Sequence, residues 1–205
     1  MSNINITEDD GIFTTDVNAN VRVRVVQDED PHTPETDVPT ARIDGGHVEY
    51  LAGKDVSEVD TRQLLGAWNT LGDWDKIGRW LRMFHGATAV EIIDSRDGTF
   101  VMFDTPKWRK YNGISETVSL TGEAADWRAW LDGEVYGVIV ERTTTTKTTS
   151  IDMATGDMVS QDENDGWREI GSTWGFFGRE DAEESAREEL TFYVTEGAEM
   201  IGIDR

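Results

Sequence analysis

The chain contains no cysteine. Disulfides, thiolate nucleophiles and Cys-ligated zinc or iron–sulfur centres are thereby excluded. It has only three histidines, which leaves little room for imidazole chemistry, and only four prolines. No run approaches the roughly 20 apolar residues that a membrane-spanning helix needs. The opening segment, Met1 to Phe13, has neither a basic region nor an apolar stretch, so no secretory signal is expected. Positive charge is scarce: 19 Lys and Arg face 41 Asp and Glu, a net of −22. Such a chain repels phosphates and anionic lipid and attracts basic surfaces. A DNA site built on phosphate neutralisation would need clustered Lys and Arg. The expectation is a soluble cytoplasmic protein that contacts neither nucleic acid directly nor a membrane.

Apolar bulk is well represented. Hydrophobic residues make up 37% of the chain, with eight Trp, seven Phe and four Tyr. Buried aromatics remove large apolar areas from water, so a folded core is expected despite the charge. The acids are unevenly spread. Residues 1–60 and 141–205 each carry a net of −10, and residues 61–140 only −2. Two acidic flanks enclose a nearly neutral centre rich in tryptophan. Arg outnumbers Lys by 14 to 5, which suits a GC-rich coding sequence or a salt-adapted organism. Salt adaptation would spread acidity evenly, whereas this pattern concentrates it.

Periodicity gives the elements. Residues 1–10 read as frayed. Val21, Val23 and Val25 alternate with Arg22 and Arg24, as in a half-buried strand. Residues 27–40 hold Pro31, Pro34 and Pro39 among acids and read as a linker unable to pack. Residues 41–52 suggest a hairpin around Asp44-Gly45-Gly46. Asp60 and Asp73 precede two helical stretches, the second ending at His85-Gly86. In that second stretch Trp74, Ile77, Trp80, Leu81 and Phe84 fall on one apolar face. A hairpin centres on Ser95 to Gly98. Short helices are expected from Pro106 and from Glu123 to Leu131. A long β-branched strand from Gly133, a turn at 153–157, an acidic loop at 161–166 and a helix from Arg179 to about Leu190 follow. Ala182, Ala186, Leu190 and Tyr193 would line the inner face of that last helix. Hairpins with interspersed helices predict an α+β fold with antiparallel pairing. Residues 1–40 would form an acidic N-terminal arm, and residues 41–205 a single domain.

The motifs of common chemistries are missing. His47-Val48-Glu49 resembles the His-x-Glu of zinc deaminases, but their Pro-Cys-x-x-Cys partner is absent. His32 reads as solvated. His85 would cap its helix as a cation. There is no Gly-x-Ser-x-Gly elbow and no phosphate-binding glycine pattern. A calcium-loop alignment of residues 161–172 puts Gln161 and Ser172 where acids are required. The reading is therefore of a protein that is not an enzyme, with no cofactor, no metal and no catalytic residues; the weaker alternative is a hydrolase with carboxylate-bound magnesium.

Two residue sets could carry binding. The first is acidic. Glu180, Asp181, Glu184 and Glu188 would form a ridge on the last helix, where residues four apart lie about 5–6 Å apart at Cβ. Successive phosphates of a DNA strand have a comparable spacing, so such a ridge can stand in for a phosphate backbone. Asp28, Glu29 and Asp30, with Asp162, Glu163 and Asp165, would extend it if the chain brings them together. A charged outer face is also what any surface helix shows, with Arg187 able to pair with Glu183. The second set is basic and aromatic: Lys107, Trp108, Arg109, Lys110 and Tyr111. It reads either as a small site for an anionic ligand or as an amphipathic turn covering apolar surface.

The segment Trp167-Arg-Glu-Ile-Gly-Ser-Thr-Trp-Gly-Phe-Phe-Gly178, followed by a helix with Ala182 and Ala186, suggests a tight corner with its aromatics turned inward. It resembles a segment of uncharacterised accessory proteins from actinobacterial phages and mobile elements. There, too, a Trp-x4-Ser-x-Trp-Gly-Phe-aromatic-Gly run precedes an acidic helix. The likeness covers about residues 130–190, extends to the Asp104–Arg109 stretch, and leaves out the first 60 residues. It implies a phage-type interaction protein in the bacterial cytoplasm and supplies no catalytic residues. Its expected partner is a host protein with a basic surface, such as a nucleic-acid-binding or defence protein. The alternative is a homo-oligomeric phage assembly protein whose acidity only aids solubility.

Overall fold

A computed structural model describes residues 4–115, 118–151 and 158–195. In chain order the elements are β1 (Ile6–Asp9), β2 (Ile12–Thr15), β3 (Val21–Gln27), β4 (Thr40–Asp44), β5 (His47–Ala52), α1 (Thr61–Leu71), α2 (Trp74–His85), β6 (Val90–Ser95), β7 (Gly98–Phe103), α3 (Pro106–Tyr111), α4 (Thr121–Asp132), β8 (Val135–Ile151), β9 (Met158–Phe177) and α5 (Arg179–Thr195). The fold is α+β with antiparallel sheets. Its division differs from the expected one. One unit joins Met1–Pro31 to Glu134–Arg205, and a second comprises His32–Gly133. The break falls near residue 31 instead of 40, and the N-terminal segment shares a unit with the C-terminal one. The second unit is thus an insertion between two hydrogen-bonded strands of the first.

The first unit is a five-stranded sheet of order β1-β2-β3-β8-β9 with α5 on one face. The alternation in β3 decides which residues meet the helix. Val21 and Val23 face Val138, Val140, Ala182, Ala186 and Leu190 in the core, while Arg22 and Arg24 point to the opposite face. The start of the chain is a hairpin, not frayed. Ile6 to Asp9 pair with Ile12 to Thr15 across Asp10-Gly11. Both turn residues have positive φ, 49° and 74°, as a two-residue type I′ turn requires.

The expected acidic loop is likewise a strand. β8 and β9 run as a ribbon of 17 and 20 residues, and residues 163–166 pair with 144–147. The β-branched threonines of β8 supply the partner. Thr145 Oγ1 donates to Asp165 Oδ1 at 2.7 Å. The expected turn at 153–157 lies outside the described residues.

Trp167 and Trp174 do not turn inward: they are 38% and 49% exposed, while Phe176 packs on the core. Trp174 lies flat over Gly137, where an added Cβ would come within 2.3 Å of the ring. Gly175, at φ 88°, is the extra residue that lets the strand continue.

The second unit is a four-stranded sheet, β5-β4-β7-β6, with a core on each face. Along β7, Val101 and Phe103 pack with α1 and α2, and Phe100 and Met102 pack with α3 and α4. Both helices of the first pair start on aspartates. Asp60 forms a capping box with Gln63, and Asp73 accepts from Lys76 N at 3.0 Å. The apolar stripe of α2 runs out before the helix does: Ile77 and Leu81 are buried, but Phe84 is 71% exposed. The proline-rich linker has no regular structure, yet its end packs, because Val38 and Pro39 are buried.

Asp104 ties this unit together. It is fully buried and accepts from Thr88 N, Thr88 Oγ1, Ala89 N and Arg109 Nη1. Burial raises its pKa, but the hydrogen bonds outweigh burial and hold the carboxyl below its ordinary value. The contribution is therefore present above the unfolded carboxylate pKa of about 4 and is lost as pH falls through the folded value. Asp104→Asn should cost the second unit about 1–3 kcal/mol at neutral pH, because the buried carboxylate's charge-assisted bonds to Arg109, Thr88 and Ala89 are lost or weakened. It should also flatten the acid limb of a stability-against-pH curve followed by denaturant unfolding. An unchanged acid limb would show that Asp104 does not set it.

Candidate functional site

The acidic helix α5 is positioned from beneath. Ala182, Ala186 and Leu190 are fully buried against β3 and β8, as the spacing predicts. Arg187 fixes its rotation. Its guanidinium lies 2.9 Å from Glu8 on β1 and 3.7 Å from Glu183, and 5.1 Å from the Phe13 ring centroid. Arg179 holds Glu183 from the other side at 2.7 Å. The cations of the helix are thus spent on Glu183 and Glu8. Glu180, Asp181, Glu184 and Glu188 remain exposed and make no ion pair among the described residues. Glu180 and Asp181 also sit in the first turn, where the helix dipole favours negative charge.

The N-terminal acids join this helix through the sheet. Asp28 N donates to Val135 O at 2.8 Å, Val135 pairs with Phe177, and Gly178 N donates to Glu134 O at 2.9 Å. Asp28, Glu29 and Asp30 therefore lie at the end of the sheet from which α5 starts, two strands or about 10 Å across. Glu29 and Asp30 are exposed, and Asp28 Oδ1 accepts from Asp30 N at 3.1 Å. Exposed Glu134 belongs to the same end. Sequence reasoning missed it because nothing local marks it out from other acids.

The remaining acids do not converge. Tyr193, near the end of α5, is level with Gly171 on β9. Glu163 and Asp165 lie six or more residues further along the ribbon, about 20 Å beyond at roughly 3.3 Å per residue. The side chain of Asp162 lies outside the described residues. Counted by unit, the first carries 24 acids against 8 bases, and the second 17 against 11. The charge asymmetry is thus a property of one folded unit and not of two separate flanks.

The basic–aromatic set does not form a site. Trp108 is buried, Arg109 is bound to Asp104 and donates to Gly86 O, and Lys107 Nζ donates to Asp55 O at 2.6 Å. Only Lys110 and Tyr111 are exposed without such bonds. The Thr105 hydroxyl caps α3 by accepting from Trp108 N at 3.2 Å. The Asp104–Arg109 stretch is therefore a structural clasp. Partial burial lowers the pKa of His85, outweighing Glu58, so its surroundings disfavour the cation expected at the helix end, and its ring packs edge-on against Trp80 at 4.4 Å. Among the described residues no group of three or more acids and histidines could hold a metal ion, and no helix is long and apolar enough to cross a membrane.

On the opposite sheet face, Glu141 is buried between two arginines, Arg22 Nε at 2.6 Å and Arg24 Nε at 3.0 Å. Burial raises its pKa, and the two guanidiniums more than offset that, leaving it below the usual range. Arg22 also lies over the Trp167 ring, 4.3 Å from the centroid. The class defined by these features is an α+β protein with one strongly acidic unit and one insertion of smaller acid excess. Compared with protein-family models, curated proteins and solved structures, the chain matches none of them.

Glu141→Gln should destabilise the first unit by about 1–3 kcal/mol, since the arginines keep partial hydration once their carboxylate is gone. Hydrogen exchange of the β3–β8 amides with increasing urea would report it. A urea dependence equal to that of wild type would mean that the cluster does not contribute.

Proposed function

We propose that the protein is a non-enzymatic interaction protein of phage or mobile-element type. Its acidic unit binds a basic surface of a host nucleic-acid-binding or defence protein in the bacterial cytoplasm, imitating the charge of DNA and blocking that surface. The reading rests on one observation: acids from both ends of the chain share a unit, and Glu180, Asp181, Glu184 and Glu188 are exposed there with no ion-pair partner among the described residues. Acids kept for solubility alone need no common location. The rise of four residues along a helix is about 6 Å, so the ridge offers carboxylates at intervals that suit a groove built for phosphates. The phage-like run from Trp167 to Gly178 leads directly into that helix, which ties the resemblance to the same surface.

A second reading, an oligomeric assembly protein, draws on exposed Met83 and Phe84, at 76% and 71%. The two readings diverge in their partner. The first requires a cationic protein, and the second requires only copies of the chain.

The test is titration of the purified chain against basic nucleic-acid-binding proteins of the host, with DNA as competitor. Binding should fall steeply with salt and be displaced by DNA. Glu180→Gln, Glu184→Gln and Glu188→Gln combined should weaken it about 5- to 100-fold, taking roughly 0.3–1 kcal/mol per exposed charge. Affinity that ignores salt, or that survives the triple substitution, contradicts the proposal.

A further inference from the structure

The second unit leaves one helix face unpartnered. On α2, Lys76 and Arg79 are exposed and form no ion pair among the described residues, although the chain carries 41 acids. Arg79 reaches only the carbonyl of Asp75 on its own helix. Met83 and Phe84, one turn further on, are among the most exposed large apolar side chains in the molecule. Buried Ile77 and Leu81 hold the other side of the helix against the core. The outer side is therefore basic at its start and apolar at its end. Isolated apolar residues on a surface need no explanation, but two adjacent ones beside unneutralised cations, in a chain of net −22, form a patch with a definite complement.

That complement is present in the same chain. The outer side of α5 bears Glu184 and Glu188, then Phe192, which is 40% exposed. These residues line a groove of about 520 Å³ together with Arg187, Thr191 and Thr195, and the Arg187 guanidinium is engaged by Glu8 and Glu183. The order matches that of α2. Lys76 precedes Phe84 by eight residues, and Glu184 precedes Phe192 by eight, about 12 Å in each helix. Set side by side in parallel, Lys76 is level with Glu184 and the Met83–Phe84 pair with Thr191 and Phe192, while Arg79 falls one residue short of Glu188, level with Arg187, which Glu8 and Glu183 already engage.

We propose that α2 of one copy docks on α5 of a second copy, so that the chain associates with itself through this pair of faces. The contact is heterologous, since each copy offers a different face. Every docked pair keeps one free α2 and one free α5, and the product is a series of chains or a ring, not a closed two-fold dimer. The contact covers Glu184 and Glu188, so a cationic partner and a second copy would compete for the same carboxylates. The inference does not rest on the proposed host partner, because it concerns the purified chain alone.

Sedimentation velocity of the full chain tests it. At about 50 mM salt the mass should rise with concentration through several species. At about 1 M, where the Debye length is near 3 Å, the association should be lost or much reduced. Lys76→Glu with Arg79→Glu should abolish it, and so should Glu184→Lys with Glu188→Lys in a separate variant. Mixing the two variants should restore it, because each reversed face then meets a complementary one on the other chain. Circular dichroism of each variant establishes that it is folded. A monomer at every concentration overturns the proposal. So does association of either variant at the wild-type level, or failure of the folded mixture to recover.

Discussion

The pairing of β3 with β8 is the constraint on which the rest depends. Seven residue pairs, from Val21 opposite Arg142 to Gln27 opposite Tyr136, join segments more than 100 residues apart. Hydrophobic burial supplies the stability on one face, where Val23 and Val140 meet the underside of α5. On the other face Glu141 clamps Arg22 and Arg24, so the register is held by charge as well as by packing. A slip by one residue would put the arginines in the core and the valines in water. Because this ladder forms, acids from the two ends of the chain belong to one body, and the second unit becomes an insertion with both its ends at one place. Closing so long a loop costs little more than closing a shorter one, since the entropic penalty grows only with the logarithm of length.

The same ladder gives the acidity its meaning. Self-repulsion among carboxylates works against a compact acidic unit. The unit meets this by spending its few cations where they are structurally useful, on Glu8, Glu183 and Glu141. The acids left over include those on the outside of α5 and at the sheet end beside it. In the inserted unit the balance is reversed locally: α2 keeps Lys76 and Arg79, which no carboxylate among the described residues pairs with. A chain with a large overall excess of one charge thus retains two faces of opposite sign.

Much of this could be read from local pattern. Asp60 and Asp73 announced the starts of α1 and α2, and Gly72 and Gly86 their ends, because caps are short-range chemistry. The inner line of α5 followed from the spacing of Ala182, Ala186 and Leu190. Asp10-Gly11 carried a hairpin signal that the surrounding acids masked. The strand through residues 163–166 was illegible, since acids disfavour strands and only the facing threonines of β8 explain it. Phe84 kept helical spacing but ran past the surface available to cover it. Asp104 is one aspartate among many, and its role depends on Thr88, Ala89 and Arg109 meeting around it. The β3–β8 pairing itself had no local signature. Whether the acidic flanks meet therefore depended on structure.

The central claim is that the acidic surface belongs to a unit made by the two ends of the chain. Excising residues 32–133 and joining Pro31 to Glu134 through a short glycine-rich turn tests this most directly. The hydrogen bond from Asp28 to Val135 already brings these ends together. The shortened chain should fold cooperatively, keep Trp174 on Gly137 by its fluorescence, and retain the salt-dependent binding of basic proteins. An unfolded product, or binding that stays with residues 32–133 instead, would contradict the account.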